Sequence, residues 1–220
     1  MATTDARQRL LDATLRVVRE RGLGATRVDD VCECAGLTKG SFFHHFKGKD
    51  DLLLAAARHW DEHTHAFFAA GSYRAQAQAR DRLLAYVDFR IAGLDGELWA
   101  VTCFAGTVVQ DAYQRQPDLA ALCAGNILDH AAELEREVQA AIDEAATADG
   151  RAQVDWTARS LALHIQGAIQ GALILAKATG DVAAARDALQ HLQRHLAHVL
   201  PVPHDRMQPT ALRTRAPSRS

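Results

Sequence analysis

The sequence predicts an all-α protein of about nine helices, and three observations carry that expectation. Residues 25–51, ATRVDDVCECAGLTKGSFFHHFKGKDD, read as two short helices joined by a Gly turn. From Asp50 onward nearly every segment has helical periodicity, with breaks at Gly71-Ser72, Gly93 to Gly96, Pro117, Gly150 and Gly180, and no strand pattern intervenes. The last two helical segments carry apolar seams at spacings of three and four.

Within the first stretch, Thr26 is placed to cap a helix starting at Arg27, with Asp29 as the capping-box acid. Val28, Val31, Cys32 and Ala35 share one buried stripe of it, and Gly36 can take the left-handed conformation that ends it. Thr38 then caps a second helix from Lys39 to about Phe46. That helix is shorter than the ~12 to 15 residues an isolated helix needs, so packing by Phe42 and Phe46 must hold it. Arg9, Arg16 and Arg19 read as a solvated face of a preceding helix. Further helices are expected over 49–69, 75–92, 97–114, 118–148, 155–178 and 181–200.

The first turn of the second short helix carries Thr38, Lys39, Gly40 and Ser41. Hydroxyls, a cation and a missing side chain let the backbone come close to a groove and donate to phosphate. A helix-turn-helix puts this part of its second helix in the major groove, where Lys donates to guanine and Ser or Thr pairs with several base edges. Phe43, His44 and His45 follow on the outer and flanking faces. For His45 a capping or packing role is equally open.

Thr26-Arg-Val-Asp-Asp-Val, Ala35-Gly-Leu-Thr-Lys-Gly-Ser and Phe42-Phe-His-His-Phe-Lys-Gly-Lys-Asp-Asp-Leu52 occur in order over more than forty residues. The segment from about Arg7 to Leu53 thereby resembles the N-terminal domain of the TetR family of bacterial transcriptional regulators. The resemblance implies that Thr26, Arg27, Thr38, Lys39, Ser41, Phe43, His44, His45 and Lys49 occupy positions that commonly touch DNA. The family often has Tyr where this chain has Phe43, so that ring is expected only to pack against the sugar-phosphate backbone. The resemblance also implies about nine helices, a homodimer on a palindromic operator, and release by a small molecule bound in the body.

Composition agrees with a soluble globular chain: 220 residues, 48% hydrophobic and 24% charged. The start lacks a signal-peptide apolar core and the long apolar stretches are interrupted, so a cytoplasmic location without membrane insertion is expected. Net charge is −2, divided as +2 over residues 1–60 and −4 over the rest, which concentrates attraction for DNA on the head. Division into a DNA-binding domain (1–48), a ligand-binding and dimerisation domain (49–200) and a disordered tail (201–220) follows. The tail holds Pro201, Pro203, Pro209, Pro217 and four Arg. Cysteines 32, 34, 103 and 123 have neither disulfide-framework nor structural-zinc spacing, and Cys32 and Cys34 read as packing residues. His59 and His63, at i and i+4 with His65 nearby, lack a third metal ligand of suitable spacing; no metal or cofactor is expected.

In the body, Leu161, Ile165, Ala168, Ala172 and Leu175 form one seam, and Leu189, Leu192, Leu196 and Val199 belong to the other. A two-fold four-helix interface built from two such pairs is expected, the alternative being ordinary buried helices. Trp99, Cys103, Phe104 and Tyr113, with Phe67, Phe68, Tyr86 and Phe89 on preceding helices, could line an apolar pocket, although core packing accounts for each aromatic as well. Gln166 and Gln170 could face a ligand there, or hydrogen-bond with His130 in the core. The run around Cys103, with Lys177 in LILAKATG, resembles a branch of the family that senses electrophiles or oxidants through a thiol. A lysine beside a thiol favours the thiolate, the form that electrophiles attack. Of the competing readings, a helical thiol-dependent enzyme has no catalytic motif behind it and leaves the helix-turn-helix unexplained. An effector-independent DNA-binding activator is the other.

Overall fold

The computed structural model describes residues 2–146 and 154–202. Among them lie ten α-helices and a 3-10 turn, Ser72–Ala75, with no strand. The helices are α1 (Ala2–Arg21), α2 (Val28–Ala35), α3 (Lys39–His45), α4 (Lys49–Ala69), α5 (Ala79–Ala92), α6 (Leu98–Val101), α7 (Phe104–Ala112), α8 (Pro117–Glu144), α9 (Ala158–Thr179) and α10 (Val182–Val199). The tail expected at 201–220 lies outside the described residues from 203 onward.

α1 buries Leu10, Leu11, Thr14, Val17 and Val18, one face of a 3.6-residue repeat, and packs on α2, α3 and α4. α2 starts one residue later than expected. Thr26 is buried and donates its hydroxyl to the Gly22 carbonyl at 2.8 Å instead of capping α2. Arg27 takes the cap position, so the acid three residues on is Asp30, which accepts the Arg27 N–H at 3.0 Å. Gly36 ends α2 with φ 62°, and Arg9 of α1 donates to the Ala35 carbonyl at 2.6 Å, so Arg9 holds this turn rather than merely facing water. Thr38 caps α3, its hydroxyl accepting the Ser41 N–H at 3.2 Å. Phe42 and Phe46 are both buried, as the shortness of α3 requires.

α4 occupies the expected range. The segment 97–114, expected as one helix, is broken in two. Thr102 is buried and extended, its hydroxyl donates to the Trp99 carbonyl at 2.9 Å, and α7 restarts with Cys103 at its cap. There Cys103 Sγ accepts the Gly106 N–H at 3.2 Å. Periodicity conceals such a break, because apolar residues continue on both sides of it. The split explains ten helices in place of about nine. α5 begins at Ala79 behind the 3-10 turn, and α8 ends at Glu144.

Two apolar cores result. The first joins α1 to α3 with the start of α4, α7 and the start of α8; the second is built from α5, α8, α9 and α10. Cys103 packs against both. The seams expected to face a second copy are mostly consumed here. Leu161, Ile165, Ala172, Leu189, Leu192 and Leu196 are buried in the second core, Ala168 and Val199 pack partly against it, and only Leu175 of that set is exposed. α9 and α10 spend those residues on each other, on α8 and on α5. The outward face of α9 carries Leu163, Gly167, Ile174 and Leu175 instead. α9 is also apolar and long enough by composition to cross a membrane, with a mean hydropathy of 1.3. Its apolarity is divided between the core and that outward face.

Candidate nucleic-acid interface and internal cavity

α3 stands at the surface with Thr38, Lys39, Gly40, Phe43 and His44 exposed, and Ser41 and His45 half-buried. Phe43 is 62% exposed and rests edge-on against buried Phe42, with ring centroids 5.1 Å apart. An apolar ring held in water beside a polar helix start is free to pack on a sugar-phosphate chain. A Cβ at Gly40 would meet only Thr38 Oγ1 at 3.7 Å, so the protein itself does not require glycine there. Lys39 Nζ lies 2.7 Å from Asp29 Oδ1, and this carboxylate raises the lysine's pKa. Both groups are exposed, so phosphate or a base edge competes readily for the ammonium. Lys49 donates to the Leu23 carbonyl at 3.1 Å, which ties α4 to the loop before α2 and leaves two further N–H groups on its ammonium. Arg27 is exposed, whereas the fold withdraws Thr26: its side chain is buried and its hydroxyl is committed to Gly22.

The head meets the body at Arg19 of α1, which is not on a solvated face. Its guanidinium lies 5.1 Å from the ring of Trp60 and 5.0 Å from that of Trp99, while Arg16 covers Trp99 at 4.9 Å. Arg19 Nη1 donates to the Ala100 carbonyl at 3.1 Å, and burial pushes its pKa down. Asp111 of α7 makes a second link, accepting the Leu23 N–H at 3.0 Å. Cys103 is half-buried at this junction. Lys177 approaches through Thr107, whose hydroxyl is 3.4 Å from Nζ, and its pKa is lowered by burial first and then by the charge of Arg19. Cys123 is different: burial pushes its thiol up to about 12, and it is inert packing. Cys34, expected as a packing residue, is exposed.

Behind the junction lies a cavity of about 520 Å³. Trp60, Phe67, Phe68, Phe89 and Trp99 form aromatic walls, and Asn126, Gln166 and Gln170 present polar groups. That volume suits a small organic ligand. Of the residues expected here, Trp99, Cys103, Gln166 and Gln170 line it. Tyr86, Phe104, Tyr113 and Lys177 do not, Tyr86 being buried in the second core. Phe104 is fully buried in the first core against Trp60, Tyr113 is 72% exposed, and Lys177 stands outside the lining. For Phe104 and Tyr113 the restart at Cys103 is the cause: residues beyond it no longer follow the phase set by Trp99. Gln166 donates to the Ile127 carbonyl at 3.1 Å, and the Gln170 amide lies over Gly106, where a side chain would have to displace it. His59 sits 2.8 Å from Asp12, and no group of three metal ligands converges among the described residues. Trp60, Arg90 and Asn126 were not picked out from sequence, since they come from separate helices and no local pattern joins them; Arg19 was expected on a solvated face, and His130, expected to bond with Gln166 and Gln170, bonds with Tyr86 instead.

His130 stacks on Phe68 with ring centroids 4.1 Å apart, and its Nε2 is 2.8 Å from the Tyr86 hydroxyl, which accepts from Arg90 at 3.2 Å. In that relay Tyr86 donates and neutral His130 accepts. Burial first, then the charges of Arg90, Arg74 and His65, push the His130 pKa down to about 3. A histidine lowered on folding stabilises the fold fully above its unfolded value of 6.5, and that contribution drains away as pH falls toward about 3. Urea denaturation at pH 7.5 and pH 5 is expected to show a larger acid loss in the native protein than in His130→Asn. Equal losses would show that another group sets the acid limb.

Two family models match the chain. "Bacterial regulatory proteins, tetR family" covers residues 10–56, and "Tetracyclin repressor-like, C-terminal domain" covers residues 79–192. The transcriptional regulator BetI of Paraburkholderia phymatum is 34% identical over 95 residues, 41% of this chain and 47% of that protein. The chain spans less than half the length of the curated relatives it matches. Two solved structures share the fold. Regulatory protein TetR from Rhodobacter sphaeroides has a TM-score of 0.74 at 21% identity, over 86% of this chain and 98% of its own. Reduced E. coli NemR also gives 0.74, at 18% identity over 91% and 99%. A helix-turn-helix head matched over residues 10–56 on a helical body matched over residues 79–192 makes this chain a member of the TetR family of bacterial transcriptional regulators.

Proposed function

We propose that the protein is a homodimeric, cytoplasmic repressor that binds a palindromic operator through α3 and is released when a small molecule or an electrophile reaches the cavity. The surface of α3 carries this reading: Lys39, Gly40, Phe43 and His44 stand in water on a helix whose opposite side is sealed by Phe42. Arg27, Thr38, Ser41, His45 and Lys49 flank them as phosphate or base contacts, and Thr26 acts only through the turn it stabilises. The dimer forms on the outward face of α9 and α10. Leu163 is 42% exposed, Ile174 and Leu175 are each 50% exposed, and Gly167 and Gly171 have open space above them. Small residues among exposed apolar ones let a second α9 come close. Effector release is supported by the cavity and by its place against Arg19, with Cys103 in the wall as the group an electrophile would meet.

Selection from a random duplex library should return a two-half-site sequence. Lys39→Ala combined with Ser41→Ala should weaken binding to it about tenfold or more in fluorescence anisotropy, the scale of a lost base contact. Gly40→Ala should also weaken binding while leaving the fold at least as stable, since only the approach to DNA is obstructed. Undiminished affinity in the double variant would show that α3 does not read the operator.

A further inference from the structure

Arg19 lines the cavity and also belongs to α1, so one guanidinium serves both head and body. Its Nε donates to the Leu15 carbonyl at 2.9 Å, and Nη1 is shared between the carbonyls of Ala100 at 3.1 Å and Thr102 at 3.5 Å. These bonds clasp α1 to the break between α6 and α7. Among the described residues no carboxylate pairs with Arg19, and Nη2 has no protein acceptor. Arg90, in the wall with Phe68, likewise has the Tyr86 hydroxyl and two ring faces for company and no carboxylate among the described residues. The acids that line the cavity are already engaged, Asp12 with His59 at 2.8 Å and Glu133 with Arg74 at 3.2 Å. The chamber thus holds two guanidinium groups that lie against aromatic rings and that no carboxylate touches among the described residues. Desolvated charge without a partner is costly, and the cost falls when an anion arrives.

We propose that the cavity takes an apolar or aromatic carboxylate whose acid group pairs with Arg19. The aromatic walls cover the body of such a ligand, and the planar guanidinium offers Nη2, with Nη1 once it leaves its two carbonyls, to the two carboxylate oxygens. Pairing draws Arg19 away from the carbonyls of Ala100 and Thr102, so the anion loosens the clasp that holds α1, and with it the head, against the body. This rests on the reading of the cavity as the effector site.

Isothermal titration calorimetry of the full chain without DNA tests it, using 2-naphthoate and decanoate against their neutral primary amides. Each carboxylate should bind about tenfold or more tightly than its amide, the worth of one charge-assisted contact. Arg19→Gln should erase that preference and keep amide affinity, and Arg19→Lys should retain part of it. Equal affinity of acid and amide in the native protein, no binding of either carboxylate, or a preference that survives Arg19→Gln would each overturn the proposal. Should Arg19→Gln fail to fold by circular dichroism, the native comparison and Arg19→Lys decide. The same carboxylates are then added to the protein on its selected duplex. A clear carboxylate preference with an unreleased duplex would overturn the effector reading while the anion site stands, so the two failures are distinguishable.

Discussion

Leu175→Glu should convert the protein to a monomer and lower its affinity for a two-half-site duplex about a hundredfold or more, the avidity that two joined half-site contacts supply. Leu175 is 50% exposed on the outward face of α9, so the carboxylate costs the monomer little. Across a two-fold interface it would be buried in apolar surroundings, and near the axis would face its own copy, which opposes association. Sedimentation velocity reads the mass and anisotropy the affinity. A variant that still sediments as a dimer with full affinity would place the interface elsewhere. Leu192→Glu is the informative contrast: Leu192 is 4% exposed within the second core, so its charge should unfold the body rather than separate two folded copies.

Phe42→Ala should cost about 3 to 5 kcal/mol of stability, the usual range for emptying a fully buried phenylalanine site. Phe42 has no exposed surface and lies 5.8 Å from Phe46, centroid to centroid. α3 has seven residues and little helical stability of its own, so losing this anchor should release the recognition helix and abolish operator binding. Urea denaturation monitored by circular dichroism gives the stability, and a loss below about 1 kcal/mol would mean that α3 is held by something else. Phe43→Ala removes the same chemistry from a site that is 62% exposed. It should leave the denaturation midpoint nearly unchanged while weakening DNA binding, which separates the two neighbouring rings by role.

Much of the head was legible because its signals are local. Gly36 must end α2, Thr38 must cap α3, and Phe42 and Phe46 must pack, and each statement needs only a few consecutive residues. Even here a one-residue shift of the α2 cap moved the capping acid from Asp29 to Asp30, which sent Asp29 to Lys39 instead. The body was less legible. A heptad-like seam says that a face is covered and is silent on whether the same chain or another covers it. For Leu161, Ile165, Leu189 and Leu192 the cover comes from the same chain. Tyr113 was misplaced because the break at Thr102 resets the helical phase, and a buried threonine hydroxyl bonded back to Trp99 leaves no mark in an apolar pattern.

The sequence by itself determined an all-α chain, the helix-turn-helix with its exposed Lys39 and Gly40, and membership of the TetR family, since turn, cap and motif signals act over neighbouring residues. Tertiary structure alone decided which apolar face of α9 remains open. It also set Cys103 at a helix cap and carried Arg19 from an expected solvated face into the wall of a cavity beside Trp60 and Trp99. Those outcomes depend on residues from distant segments competing for the same space and the same charge, and no short stretch of chain encodes the result of that competition.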